Sequence, residues 1–384
     1  MMPTIALVCL LTFIHYVGAQ MRGPVLSLYA AAHGATATGV GLIAGVHMMA
    51  AAIGSIPLGR ASDVWGRRPV MLGAMALSVV TSLLLPLFET PLPLTIVYGM
   101  AGFAVAAFTP SALSMVGDAA APGRIGHAYG WYSMAHYGAI GIGPFVGGLV
   151  AEQWGYRAAF VVSGVVVAIA LAVGHLVLAP RAVPASGRAT ATFADIKGNV
   201  DVWAGWIAAV SGLLVQGVVF PFFPLLATER GLGPAAIGLV FLVLGVANTA
   251  ARLPAGWLVD RTGRSSAYAV GGVLLASLAT TLLPHVSGEA TVLVVVAVFG
   301  VASGIAFVAI STALTLASTP ALRGLVMGGY STALYLGFAL GSFALGPLIT
   351  RYGHVIGFAV GGAAGTVGAL VAALAWAKNS RNAC

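Results

Sequence analysis

Charge is scarce in this chain: 17 basic and nine acidic residues among 384, or 7%, against about 25% in a soluble domain. A soluble fold that is 60% hydrophobic would expose large apolar patches and aggregate, so an aqueous globular domain is excluded. Cysteine is nearly missing. Cys9 lies in the first apolar run and Cys384 is the last residue, which excludes a disulfide framework and any zinc spacing. No Gly-x-x-x-x-Gly-Lys loop occurs, so direct nucleotide drive has no support. No nucleophile–base pair or metal-ligand motif points to an enzyme, and no metal or cofactor is expected. The net charge of +8 would suggest nucleic acid on a soluble protein, but here it has a topological use and no nucleic-acid partner is expected.

Long apolar runs are what the chain has in abundance. A spanning helix needs ~20 mostly apolar residues. Twelve such runs fall near 4–29, 38–58, 69–88, 92–116, 125–150, 158–179, 202–227, 235–257, 266–286, 291–317, 324–349 and 354–377. All are too long for barrel strands of ~10 residues, and helices satisfy their own backbone groups in lipid. The first run is too long for a signal-peptide core and reads as a mature span. The bilayer is therefore the first partner of this protein.

One long polar stretch, 180–201, divides the runs into two groups of six. It predicts a first bundle over 1–180, a linker over 181–201 and a second bundle over 202–384. Gly41-Leu42 matches Gly238-Leu239, Pro57 matches Pro254, Arg124 answers Arg323, and Gly143-Pro144 answers Gly346-Pro347, at offsets of 197, 197, 199 and 203. A repeat of this length is the mark of a transporter with two similar halves.

The basic residues orient the chain. Arg60, Arg67, Arg68, Arg124, Arg181, Arg188, Lys197, Arg261, Arg264, Arg323, Lys378 and Arg381 fall on one side, and Arg157, Arg230 and Arg351 on the other. This bias predicts that the first side, with both termini, is cytoplasmic.

Two copies of a short charged signature stand between spans 2 and 3 and between spans 8 and 9. The first runs from Gly59 through Asp63, Gly66, Arg67 and Arg68, and the second contains Gly256, Asp260, Gly263 and Arg264. Gly59 and Gly66 allow close approach and sharp turning. Asp63 is placed to cap a helix or pair with an arginine, and Arg67 and Arg68 can reach carboxylates or lipid phosphates. The signature resembles the loop motif of the major facilitator superfamily, and the likeness extends to span count, central linker, repeat and both motif copies. It implies an all-α integral membrane protein of twelve transmembrane helices in two pseudo-symmetric six-helix bundles around a central cavity. It also implies that Asp63 and Arg67 latch one conformation, with Asp118 as partner.

Span 5 carries Gly138-x-x-Gly141-x-Gly143-Pro144-x-x-Gly147-Gly148, which is similar to the antiporter motif of drug exporters in that superfamily. Small residues permit close helix packing, and Pro144, like Pro347, can make a pivot with the glycine before it. Those exporters carry an arginine in span 4 on an Arg-x-x-x-Gly pattern, where this chain has Tyr98-Gly99-Met100-Ala101-Gly102.

No Asp or Glu falls in mid-span, so the titratable candidates are His15, His47 and His136. Arg22 follows His15 by two helical turns on nearly the same face. Gln216 and Asn248 are the mid-span polar residues of the second half, and Phe220-Pro221-Phe222-Phe223-Pro224 reads as a broken, gate-like stretch of span 7. The expected function is alternating-access transport of a small organic solute, most simply proton-coupled efflux through a monomer in a bacterial inner membrane. Two alternatives stay open: uptake or exchange of an organic anion at Arg22, and transition-metal transport by the histidines with Met48, Met49 and Met134. A sensor built on a transporter scaffold is a further reading, without an extra domain to pass on a signal.

Overall fold

The structure, a computed structural model, describes residues 2–121, 124–178, 192–319 and 322–382. Arg181 and Arg188 of the expected linker, and Cys384, lie outside the described residues. The first half holds α1 (Met2–Ala32), α2 (Ala37–Trp65), α3 (Arg67–Leu84), α4 (Pro91–Ala119), α5 (Ile125–Trp154) and α6 (Tyr156–Val177). The second holds α7 (Val200–Glu229), α8 (Pro234–Thr262), α9 (Ser265–Leu282), α10 (Glu289–Leu316) and a run over Arg323–Asn382. That run is two helices, α11 (323–352) and α12 (354–382), divided at Gly353, whose φ is 82°. Eleven helical segments among the described residues are long and apolar enough to cross a membrane, and the last contains two, which agrees with the twelve expected.

Single glycines make three of the reversals. Gly66 (φ 99°) alone separates α2 from α3, Gly155 (φ 87°) separates α5 from α6, and Gly353 separates α11 from α12. A side chain at positive φ is strained, so a one-residue reversal of this kind selects glycine.

The described chain forms two compact units, residues 1–184 with 220–245, and 185–219 with 246–384. In the first unit α1 packs on α5 and α6, α2 on α4, and α3 on α4 and α6. Val8, Leu11, Met71, Met75, Phe108 and Val167 form its apolar core. The second unit centres on Val202, Trp206, Val273, Ile310, Leu314 and Val326. Where the linker re-enters the structure, the Thr192 backbone N–H (2.7 Å) and hydroxyl (2.9 Å) both donate to Asp195. These bonds hold the Asp195 carboxyl below its usual range.

Glycine sets the helix contacts. A Cβ on Gly143 would come within 2.7 Å of the Val17 carbonyl, and one on Gly147 would collide with the Met21 carbonyl, so this pair seats α5 on α1. Gly141 and Gly148 face residues 234–245 instead: a Cβ on Gly141 would meet Gly245 Cα at 3.0 Å. At the end of this seam the N–H of Ala235 donates to the Glu152 carboxylate (2.8 Å), an acid at a helix N-terminus.

The same contact recurs in the second unit. Gly337 approaches the Val210 carbonyl and Gly341 the Leu214 carbonyl, so α11 sits on α7 as α5 sits on α1. In each unit two glycines one turn apart, Gly143 with Gly147 and Gly337 with Gly341, approach two carbonyls one turn apart, and the second pair ends at Gly341. The sequence match of Gly143-Pro144 with Gly346-Pro347, at an offset of 203, runs more than one helical turn past it.

The prolines do not interrupt their helices. α5 continues through Pro144, the 323–382 run through Pro347, and α7 through both Pro221 and Pro224, so the expected break in span 7 is corrected to a continuous helix. A proline at position 221 removes the donor for the Gly217 carbonyl. Ser342 on α11 supplies one, its hydroxyl donating to Gly217 O at 3.0 Å. Phe222 and Phe223 are buried, and Phe220 lies 5.1 Å from Phe241 between ring centroids.

Candidate functional site

Within the first unit an aromatic and imidazole cluster joins α1, α4 and α5. Thr12, His15 and Tyr16 lie at i, i+3 and i+4, one face of α1. His15 is fully enclosed and stacks on Phe108 of α4, with centroids 4.1 Å apart and planes at 21°. Tyr16 meets Phe108 edge-on (5.7 Å) and His136 of α5 edge-on (4.2 Å), while its hydroxyl hydrogen-bonds Thr109 Oγ1 at 2.5 Å. Tyr132, one turn before His136, stacks beside it at 6.0 Å. His15 and His136 are thus brought into one cluster, with Tyr16 between them.

The polar atoms of this cluster are unevenly served. Among the described residues, neither ring nitrogen of His15 has a hydrogen-bond partner, and neither does the neighbouring Thr12 Oγ1. Leaving a buried donor or acceptor unmade costs about 1–3 kcal/mol.

The other candidates lie elsewhere. His47 Nδ1–H donates to the Tyr98 carbonyl (2.8 Å), and its ring stacks on Tyr98 at 4.1 Å. Its own carbonyl is the point that Gly102 of α4 approaches, so His47 marks the α2–α4 crossing. Asn248 is similar: Gly304 of α10 approaches its carbonyl, and its Oδ1 accepts from Arg252 Nε at 3.1 Å. Gln216 is half-buried on α7 in the second unit.

Arg22 is buried, and it turns away from the His15 cluster. Its guanidinium donates to the Ala19 carbonyl (3.2 Å), the Ser78 carbonyl (3.3 Å) and Thr81 Oγ1 (3.0 Å). The shared face with His15 is real along α1, but the long side chain ends on α3. Among the described residues no group of three or more His, Cys, Asp or Glu side chains gathers in a metal-holding arrangement.

The two loop signatures differ. In the first, Arg67 forms an ion pair with Asp118 and donates to the Ser114 carbonyl (2.8 Å), tying α3 to the end of α4. Arg68 donates to the His175 carbonyl of α6 (2.8 Å), and Ser111 bonds Ser62 (2.9 Å) nearby. Asp63 lies half-buried near the end of α2, while α3 starts at Gly66 without a side-chain cap. Gly59 has no atom within 4 Å of a would-be Cβ. In the second signature Asp260, Gly263 and Arg264 are all exposed, Gly256 is half-buried, and Arg261 lies over the Trp257 ring at 5.1 Å.

Sequence reasoning missed Tyr16, Phe108, Thr109, Tyr132 and Thr12. One signal was available: Tyr132 and His136 at i and i+4 with Tyr137 adjacent, an aromatic patch on a glycine-rich helix. Phe108 carried none, since its role depends on how α4 meets α1.

The Major Facilitator Superfamily model matches residues 8–342 and again 205–383. An uncharacterized MFS-type transporter of Methanocaldococcus jannaschii is 24% identical over 345 residues, covering 88% of this chain and 89% of that protein. The tetracenomycin C resistance and export protein of Streptomyces glaucescens is 27% identical over 44% of this chain and 30% of its own length. Among solved structures, a bacterial homolog of the human lysosomal transporter Spinster, inward-facing and occupied, superposes with a TM-score of 0.81 at 15% identity over 98% of this chain and 96% of its own. The nucleoside transporter NupG superposes at 0.76, with 14% identity over 97% and 99%. With twelve apolar helices, a glycine contact repeated between halves and a family match spanning nearly the whole chain, this multi-pass membrane protein belongs to the major facilitator superfamily.

Proposed function

We propose that this transporter exports a small organic solute in exchange for protons, by alternating access, with His15 as the group that carries the proton. The observation that carries the reading is His15 itself: fully buried, walled by aromatic rings, and with two ring nitrogens that no described residue satisfies. All nine acidic residues lie near helix ends or in the connections between helices. Imidazole is then the side chain best suited to change charge in mid-membrane near neutral pH. Without a mid-span carboxylate to balance a cation, an uncharged or acidic aromatic solute suits the site better than a cationic one. The name of the Streptomyces glaucescens relative, a tetracenomycin C resistance and export protein, supports export as the direction of transport. In this reading the basic ends of α2 and α3 face the cytoplasm of a bacterial inner membrane, as do both termini.

The test uses purified protein in liposomes enclosing a pH-sensitive dye. Tetracenomycin C and a nucleoside are the first solutes to add. The expected result is solute flux that rises with an imposed pH gradient, is accompanied by a dye response and collapses with a protonophore. Flux that ignores the gradient, with no dye response, overturns proton coupling.

The ion pair between Arg67 and Asp118 supports a second element of the reading, a latch at the end of the first bundle. A half-exposed pair contributes about 1 kcal/mol at most, a shift of about fivefold in a two-state equilibrium. Arg67→Ala is therefore expected to change the rate of transport by up to about fivefold. Combining Arg67→Asp with Asp118→Arg is expected to restore part of the loss. If the double variant transports no better than either single one, the pair has no latch role.

A further inference from the structure

Arg22 is 2% exposed, and among the described residues no carboxylate pairs with it. It stands ~15 Å of helix short of the end of α1 at Ala32, well inside the first bundle. A buried cation is costly unless an opposite charge meets it. The groups that do meet it are neutral. Nε donates to the Ala19 carbonyl, and Nη1 donates to the Ser78 carbonyl and to the Thr81 hydroxyl. Both N–H groups of Nη2 are left without an acceptor among the described residues, and Nη2 is not one of the fully enclosed polar atoms.

A second donor stands nearby. Tyr98 of α4 is buried, and its hydroxyl is close enough to interact electrostatically with Arg22. That hydroxyl likewise has no hydrogen-bond partner among the described residues and keeps some surface open. The tyrosine is fixed from α2: the His47 ring stacks on it at 4.1 Å, and His47 Nδ1–H donates to its carbonyl. One unpaired cation and one rigidly held O–H donor thus share a buried spot that no acidic side chain reaches.

We propose that Arg22 Nη2 and the Tyr98 hydroxyl hold one monatomic anion, chloride in an ordinary medium, between α1 and α4. A carboxylate or phosphate pairs with a guanidinium through parallel N–H groups on two nitrogens. Here Nε and Nη1 are already engaged, so the two remaining N–H groups belong to one nitrogen and diverge. A single-centre acceptor fits that arrangement, and its size fits the little surface that Arg22 and Tyr98 expose. The anion supplies the negative charge that this part of the bundle lacks.

The test is thermal unfolding of the full chain in detergent at constant ionic strength, with gluconate replaced stepwise by chloride, bromide or acetate. Chloride and bromide are expected to raise the melting temperature by about 3 °C at tenfold excess over the dissociation constant, and acetate by less. Tyr98→Phe keeps the ring against His47 and the carbonyl that accepts from it, so it isolates the hydroxyl. Halide affinity in that variant is expected to fall about tenfold. Arg22→Gln is expected to abolish the halide effect; should it fail to fold, Tyr98→Phe decides the matter. No halide effect in the unmodified protein overturns the proposal, as does an effect unchanged in Tyr98→Phe or kept in Arg22→Gln. Acetate that stabilises as well as chloride overturns the monatomic ligand. The readout involves no transport, so its failure leaves the role of His15 untouched.

Discussion

Replacing His15 by phenylalanine is expected to abolish proton-driven flux while leaving the protein at least as stable as before. The substitution keeps an aromatic ring of similar size against Phe108, from which the imidazole stands 4.1 Å. It removes two nitrogens that lack a hydrogen-bond partner among the described residues. Each such atom costs about 1–3 kcal/mol, so the melting temperature should hold or rise. A residue present only for packing would show the opposite pattern, with stability and transport falling together or both unchanged. Thermal unfolding in detergent and flux in liposomes, measured on the same preparation, separate these outcomes. His136→Phe is the natural comparison: His136 lies one ring further out, against Tyr16, and is only half-buried.

Gly102→Val is expected to destabilise the first unit severely. A Cβ at this position would strike the His47 carbonyl and sit 3.0 Å from the Ala50 Cβ. The obstructing atom is backbone, so it cannot rotate away, and α2 would have to move off α4. Overpacking of this kind typically costs about 1–3 kcal/mol, and more where the backbone is pinned. Gly130→Ala is the control. A Cβ at Gly130 of α5 meets nothing within 4 Å, and alanine is favoured over glycine in a helix by about 1 kcal/mol. If Gly102→Val melts no lower than Gly130→Ala, the close approach of α2 and α4 is not what holds them.

Much of the fold was legible from sequence because lipid imposes few solutions. Apolar runs of the right length gave the helices. Gly66 was legible as a turn because the residues around it are charged and the reversal needs a positive φ. Which glycines make the close contacts was less legible: the pair that packs as Gly143 and Gly147 do is Gly337 and Gly341, and a matching Gly-Pro dipeptide carries no information about which carbonyl faces it. The prolines of α7 read as a break, since the donor that repairs the ladder, Ser342, comes from another helix.

The candidate site was legible only by residue type. The scarcity of mid-span charge singled out His15, His136 and Arg22 equally. Sequence spacing placed Arg22 and His15 on one face, yet a flexible side chain of that length reached Ser78 and Thr81 on α3. His47 likewise is drawn to the Tyr98 carbonyl. Aromatic neighbours such as Phe108 became visible only when three helices were brought together.

The position of the carboxylates has a chemical consequence. Lipid-soluble carbodiimides disable many proton-translocating proteins by modifying a side-chain acid hidden in the hydrocarbon layer. Every Asp and Glu of this chain stands near a helix end or in a connection. Such a reagent finds no carboxylate at mid-depth here, where the titratable side chains are the imidazoles of His15, His47 and His136.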